Sequence, residues 1–148
     1  MRVGSAQDGI AIARVFGAAR ADMRYLPNLH SRAAELLFFV EQVLPTSRVT
    51  VAEIDGVIVG FSAVRAGWLD HLYVNPGQQG CGIGGSLLRL AMTEHPEGLS
   101  LWAFEPNHRA IAFYARAGFA EVLRTDGGAN EERVPDVQMR WTGAGAAV

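Results

Sequence analysis

Gln79-Gly80-Cys81-Gly82-Ile83-Gly84-Gly85-Ser86 separates two apolar segments of different kind. Leu69 to Val74 before it reads as a strand, and Leu87-Leu88-Arg89-Leu90-Ala91-Met92 after it reads as a helix. Glycines where a strand hands over to a helix leave backbone N–H groups bare, because no Cβ covers them and φ is free to turn positive. Those donors, together with the positive end of the helix dipole, make a site for phosphate. The segment therefore implies an α/β arrangement that holds a phosphorylated ligand.

The rest of the chain fits around that unit. Arg2-Val3-Gly4 reads as a short strand, and Ser5 with Asp8 as a capped helix start before the stripe Ile12, Val15, Phe16 and Ala19. Tyr25 to His30, with Pro27, reads as a loop; Ser31 caps a second helix with Leu36, Phe39, Val40 and Val43 on its apolar face, stopped by Pro45. Arg48 to Ile54 and Val57 to Val64 flank Asp55-Gly56, a two-residue hairpin signal, and Arg65-Ala66-Gly67 turns again into Trp68 to Val74. Leu99 to Phe104 reads as a buried strand, and about His108 to Arg116 as a helix closed by Gly118. Phe119 to Arg124 and Val134 to Trp141 read as a last hairpin, and the Gly/Ala-rich tail 142–148 as frayed.

With 148 residues, 49% of them hydrophobic, the expectation is one domain over 1–148 with a packed core. A net charge of -2 without a block of like charge argues against nucleic acid. No apolar run reaches the ~18 residues of a membrane span, and Met1 to Ser5 lacks a signal-peptide core. One cysteine makes neither an internal disulfide nor a metal cluster. The expected setting is the cytoplasm, with no membrane, nucleic acid or metal partner.

Three phosphate motifs compete for the glycine segment. Gly77 to Gly82 has the Walker spacing, but Ile83 and Gly84 stand where Lys and Ser/Thr are needed. Gly80, Gly82 and Gly85 satisfy G-x-G-x-x-G, with Glu105 about twenty residues on, which keeps a dinucleotide-binding oxidoreductase as an alternative. Its context is wrong: Asn75 to Gln79 intervenes after the strand, and an antiparallel hairpin precedes it. The third pattern, Q/R-x-x-G-x-G/A, is met by Gln79, Gly82 and Gly84. With Val74-Asn75-Pro76 before it and Leu87-Leu88 after it, this resembles the acetyl-CoA motif of the GNAT superfamily of N-acetyltransferases. A second segment, from Asn107 through Ala110, Phe113 and Tyr114 to Gly118-Phe119, resembles that family's N-x-x-A-x-x-F-Y-x-x-x-G-F signature. The likeness covers most of the chain.

The resemblance implies an α/β (α+β) fold: a mixed, largely antiparallel sheet of six or seven strands flanked by about four helices. It implies an acetyl-CoA-dependent N-acetyltransferase, with acetyl-CoA as co-substrate and a primary amine, small or peptidic, as acceptor. Transfer is expected to be direct, in a ternary complex; a CoA-binding regulatory module without turnover is the other reading, and homodimers are common in the family. Gln79, Gly80, Cys81, Gly82, Ile83, Gly84, Gly85 and Ser86 are the expected diphosphate cradle. Main-chain groups of Leu72, Tyr73 and Val74, freed where this strand splays from its neighbour, are expected to hold the pantetheine arm, along with the Asn107 side chain. Tyr114 matches the family's tyrosine, a fitting acid for the departing thiolate. The base is open. Many relatives carry Glu early in the strand before the loop, where this chain has Trp68, which leaves Asp70, on Trp68's face by alternation, His71, pointing oppositely, or no dedicated base. The acceptor is expected between two loops, Tyr25 to His30 with Tyr25 and His30, and roughly Thr125 to Asp136 with Glu131, Glu132 and Asp136.

Overall fold

The computed structural model describes residues 1–144. Arg2–Val3 (β1) pairs antiparallel with Arg48–Ile54 (β2), which continues through Val57–Arg65 (β3) and Trp68–Val74 (β4) as an antiparallel meander. Both connections are two-residue turns with positive φ at each central position: 52° and 79° at Asp55-Gly56, 51° and 81° at Ala66-Gly67. Such turns match the twist of paired strands. Leu99–Phe104 (β5), Ala120–Thr125 (β6) and Asp136–Trp141 (β7) complete a seven-stranded sheet of order β1-β2-β3-β4-β5-β7-β6. Among the described residues only β4 and β5 run parallel. The sheet and its helices agree with the expected α/β architecture.

The helices lie on two faces. Gly9–Ala21 (α1) follows a 3-10 turn in which the Asp8 carboxylate accepts from the Ser5 N–H at 2.8 Å and from both terminal nitrogens of Arg2. Arg32–Phe38 (α2) begins at Ser31, whose hydroxyl accepts from the Ala34 N–H. It runs on through a π-helical stretch, Phe39–Val43, into a closing turn, Leu44–Thr46 (α3), so the helix ends one residue past Pro45. Ile12, Val15 and Phe16 of α1 pack with Phe39, Val43, Val49, Val51 and Phe61 on this face.

Ile83–Glu94 (α4) and His108–Arg116 (α5) cover the other face. There Leu88 and Ala91 bury against Leu69, Leu99, Leu101, Val137 and Met139, with Ile111, Phe113 and Tyr114 packed on them. Gly60 permits the close approach of α4: a Cβ would lie 3.3 Å from side-chain atoms of Ile83 and Leu87 and 3.2 Å from the Tyr73 carbonyl oxygen. Of the tail expected to fray, 145–148 lies outside the described residues, while the Ala144 N–H donates to the Pro96 carbonyl at 3.0 Å. Among the described residues no helix is long and apolar enough to cross a membrane.

Candidate active site

β4 leads through a 3-10 turn, Pro76–Gln78, into the glycine segment. Gly80 and Gly82 sit at φ +85° and +83°, and nothing lies within 4 Å of where their Cβ atoms would be. This left-handed backbone turns the chain so that Gly82 caps α4, whose first closing bond runs from the Ser86 N–H to the Gly82 carbonyl. Among the described residues, the N–H groups of Gly80, Cys81, Gly82, Ile83, Gly84 and Gly85 make no well-formed hydrogen bond to the protein, Cys81 closing only the loose end of the preceding turn. Six successive bare donors at a helix N-terminus suit an anion. Gly84 lies over Val74 and Phe113, which an added Cβ would meet in ordinary contact at 3.7 and 3.8 Å.

Two side chains at this loop carry more than their sequence pattern indicates. The Gln79 amide donates to the Val74 carbonyl at 3.1 Å and ties the loop to the strand. Arg89, one turn into α4, reaches back: its Nη2 donates to the Ser86 hydroxyl at 3.2 Å, and Nη1 would be 3.3 Å from a Cβ at Gly85. A guanidinium thus stands beside the bare amides. Cys81 is exposed in the same loop.

The strand before the loop does splay. β4 and β5 share one register pair, Trp68↔Ser100, although β4 continues to Val74. The Asn75 N–H donates to the Val59 carbonyl at 2.7 Å, which sets the phase of the β3–β4 ladder. By the alternation of an antiparallel pair, Tyr73 bonds back to β3, while the Leu72 main-chain groups and the Val74 N–H face the gap, the Val74 carbonyl being taken by Gln79. Tyr73 presents its side chain to the α1 face instead, 5.1 Å from Phe16 between ring centroids.

On the α5 side, Asn107 caps the helix, its side-chain oxygen accepting from the Ala110 N–H at 3.1 Å. Tyr114 lies one helical stretch later, its ring edge-on to Phe113 and Phe119. Burial, reinforced by the Tyr73 phenol, pushes the Tyr114 hydroxyl well above the usual phenol range. It stays protonated at neutral pH.

Alternation along β4 separates Asp70 from His71, but the structure does not. The register steps from Ala63↔His71 to Val64↔Leu69, which leaves Asp70 as the extra residue of a β-bulge. Both side chains consequently line one cavity of about 430 Å³, on the α1 side of the splay. Burial raises the Asp70 carboxyl, against the opposing pull of Arg65, whose Nε is 3.3 Å away. His71 is enclosed by Phe16, Phe38, Phe39 and Phe61. Burial first, then the nearby Arg20 charge, lowers it to about 4. It is neutral at pH 7 and a weak proton acceptor.

The two expected acceptor loops meet, but their residues divide. Glu132 and Asp136 line the cavity. Glu132 accepts from Arg20 Nη1 at 3.0 Å, and Asp136 accepts from the Thr125 hydroxyl and the Asn130 amide. His30 and Glu131 instead form an exposed clasp, Nε2 to Oε1 at 2.6 Å, between the two loops. The Tyr25 ring meets Phe104 edge-on, 6.2 Å between centroids, at the cavity's edge. Arg20, Phe104 and Trp102 of the cavity wall were not among the expected site residues, whereas Thr125 and Asn130 fall on the late loop expected to wall the acceptor. Trp102, read as core, is 47% exposed and stacks on Trp68 at 6.5 Å. Its position on β5 between buried Leu101 and Ala103 was the available signal.

Comparison with known proteins places the chain in a family. Residues 45–121, just over half of the chain, match the family described as the acetyltransferase (GNAT) domain. The chain belongs to the GNAT family. It is 31% identical over 86 residues to the peptidyl-lysine N-acetyltransferase YjaB of Escherichia coli K12, and 35% over 94 residues to that of Salmonella typhimurium. The alignments cover 58% and 63% of this chain and span 58% and 64% of those relatives' lengths. The apo structure of E. coli YjaB superposes with a TM-score of 0.75 at 26% identity, covering 97% of both chains. The ribosomal-protein-S18-alanine N-acetyltransferase of E. coli shares the fold at a TM-score of 0.75 and 20% identity, over 99% of this chain and 96% of that one. No three His, Cys, Asp or Glu side chains gather as metal ligands among the described residues.

Proposed function

We propose that this GNAT chain is an acetyl-CoA-dependent N-acetyltransferase that acts on a primary amine by direct transfer, donor and acceptor being bound together. The observation that carries this reading is the run of six unpaired N–H groups, Gly80 to Gly85, at the edge of the β4–β5 gap. The space beside Gly80 and Gly82 is open, and a ligand diphosphate would satisfy donors that the protein leaves open. Arg89 adds a positive charge at its rim.

When bound, acetyl-CoA supplies the thioester carbon to be transferred. The chain's part is placement and proton handling. The Leu72 main chain and the Val74 N–H, facing the gap, orient the pantetheine arm and offer N–H donors to the carbonyl oxygen as negative charge grows there, worth roughly two to three decades in rate. Tyr114 holds a proton on its phenol oxygen, raised by burial, and yields it to the leaving sulfur. Asp70, at the bulge, takes the proton of the acceptor ammonium, directly or through a water. His71 is too weak a base for that task. The relatives named as peptidyl-lysine N-acetyltransferases support an amine on a peptide as the acceptor.

The test is a thioester-consumption assay with acetyl-CoA across alkylamines, amino acid amides and lysine peptides. The proposal predicts CoA release that requires an acceptor and produces N-acetylated amine. CoA binding without acceptor-dependent release would leave a binding module and overturn the transferase.

A further inference from the structure

Arg20 Nε, the Tyr25 hydroxyl and His71 Nδ1 are the buried side-chain polar atoms without a hydrogen-bond partner among the described residues, and all three belong to one neighbourhood. Arg20 and His71 line the 430 Å³ cavity, and Tyr25 meets it through Phe104. Arg20 is wedged between the rings of Phe16 and Phe104, its guanidinium carbon 5.0 and 5.5 Å from their centroids. That sandwich fixes the plane in which its Nε–H points. One terminal nitrogen is committed to Glu132, but Nε is not. The Tyr25 phenol is raised, chiefly by burial and then by Tyr73, with Arg20 and the nearby Asn107 side chain opposing; Asn107 is close to the hydroxyl but makes no well-formed hydrogen bond with it. Buried polar atoms left unpaired are costly, so three in one place call for a partner outside the chain.

The chemistry of that partner follows from the donors and the charge. Arg20 Nε–H can only donate, and a phenol donates readily, so the missing group presents oxygen lone pairs. The Arg20 charge is already balanced by Glu132, and Asp136 and Asp70, the latter shared with Arg65, add negative charge to the same wall. A free carboxylate entering here would face those anions; a neutral oxygen would not, and an ammonium beside it would be welcome. We infer that Arg20, Tyr25 and His71 form a subsite for a neutral oxygen acceptor, an amide carbonyl or a hydroxyl, carried on the acceptor amine within a few bonds of its nitrogen. The amine is taken from the transferase reading; the oxygen is read from the three atoms alone. The subsite selects aminoacyl amides over both free amino acids and plain alkylamines.

The experiment is a titration of the ¹⁵N-labelled full chain with leucinamide, leucinol, leucine and isopentylamine, which share one side chain. It follows the Arg20 Nε–H and His71 ring signals. Leucinamide is expected to shift both and to bind at least about tenfold tighter than leucine or isopentylamine. A leucinol response equal to that of leucinamide assigns any neutral oxygen, and a leucinamide response alone assigns the carbonyl. Tyr25→Phe, which keeps the ring on Phe104, should narrow the leucinamide preference about three- to tenfold. An Arg20 Nε–H signal that stays put at leucinamide saturation, leucine binding as tightly as leucinamide, or an unchanged preference in Tyr25→Phe overturns the subsite. Binding needs no chemistry, so shifts without turnover uphold the subsite and remove the transferase. Turnover of all four amines at equal kcat/KM does the reverse.

Discussion

Replacing Gly82 by Ala perturbs the cradle through the backbone alone. Gly82 holds φ at +83°, and an added Cβ would meet nothing within 4 Å, so the substitution brings no clash. What it brings is the cost of holding an L-residue left-handed, about 1–2 kcal/mol. Because the loop is exposed and its six N–H groups are unpaired, the free protein can shed that strain by relaxing φ to negative values, at little cost in global stability. Binding a diphosphate then requires the left-handed turn to be rebuilt. The same 1–2 kcal/mol appears as a five- to thirtyfold rise in Kd for CoA. The assay is isothermal titration of CoA into wild type and Gly82→Ala, with Gly77→Ala as control. Gly77 lies in the same loop with open space around its Cβ position and no positive φ, so its variant should bind CoA within about twofold of wild type. Equal affinities for the Gly77 and Gly82 variants would refute the reasoning, since they would separate CoA binding from the geometry of the cradle.

Three further outcomes are expected. Tyr114→Phe keeps the ring packing on Phe113 and Phe119 but removes the proton, so kcat should fall about tenfold or more with CoA affinity unchanged; stopped-flow thioester assays check both. Asp70→Asn should lower kcat/KM by 10²-fold or so. Because burial raises the Asp70 carboxyl and the base form is needed, wild-type activity should decline as pH falls through that raised value; the Asn variant should lose this acid limb. His71 has a folded value lowered to about 4 against 6.5 when unfolded, so the unfolded chain binds more protons between them. Stability is therefore intact above the unfolded value and lost as pH falls toward the folded one, by on the order of 3 kcal/mol, and His71→Leu should flatten urea melts compared at about pH 7 and pH 4.5.

The elements that local chemistry dictates were legible in the sequence. Asp55-Gly56 makes its turn because both residues tolerate positive φ, and the glycine segment caps α4 for the same reason; at Ala66-Gly67 only the glycine does, and the strand pairing holds Ala66 at 51°. The Ser5–Asp8 and Ser31 caps likewise follow from short polar side chains before apolar stripes. Features set by distant partners were not legible. The bulge at Asp70 exists only in the pairing with β3, and it overturns the period-two rule that sent Asp70 and His71 to opposite faces. The π-helical stretch Phe39–Val43 widens a helix whose apolar residues already fit an ordinary period. The cavity wall joins Arg20 to Glu132 across 112 positions, and the clasp joins His30 to Glu131 across 101. No spacing rule links such residues, so the carboxylates near the acceptor could be named from the sequence but not sorted into cavity and clasp.

The most direct test of the cradle is an amide ¹⁵N–¹H titration of the whole chain with CoA. The Gly80, Cys81, Gly82, Ile83, Gly84 and Gly85 N–H signals should move together downfield and saturate at one equivalent, while amides in the β2–β3 ladder stay in place. Saturation of binding with those six signals unmoved would contradict the account.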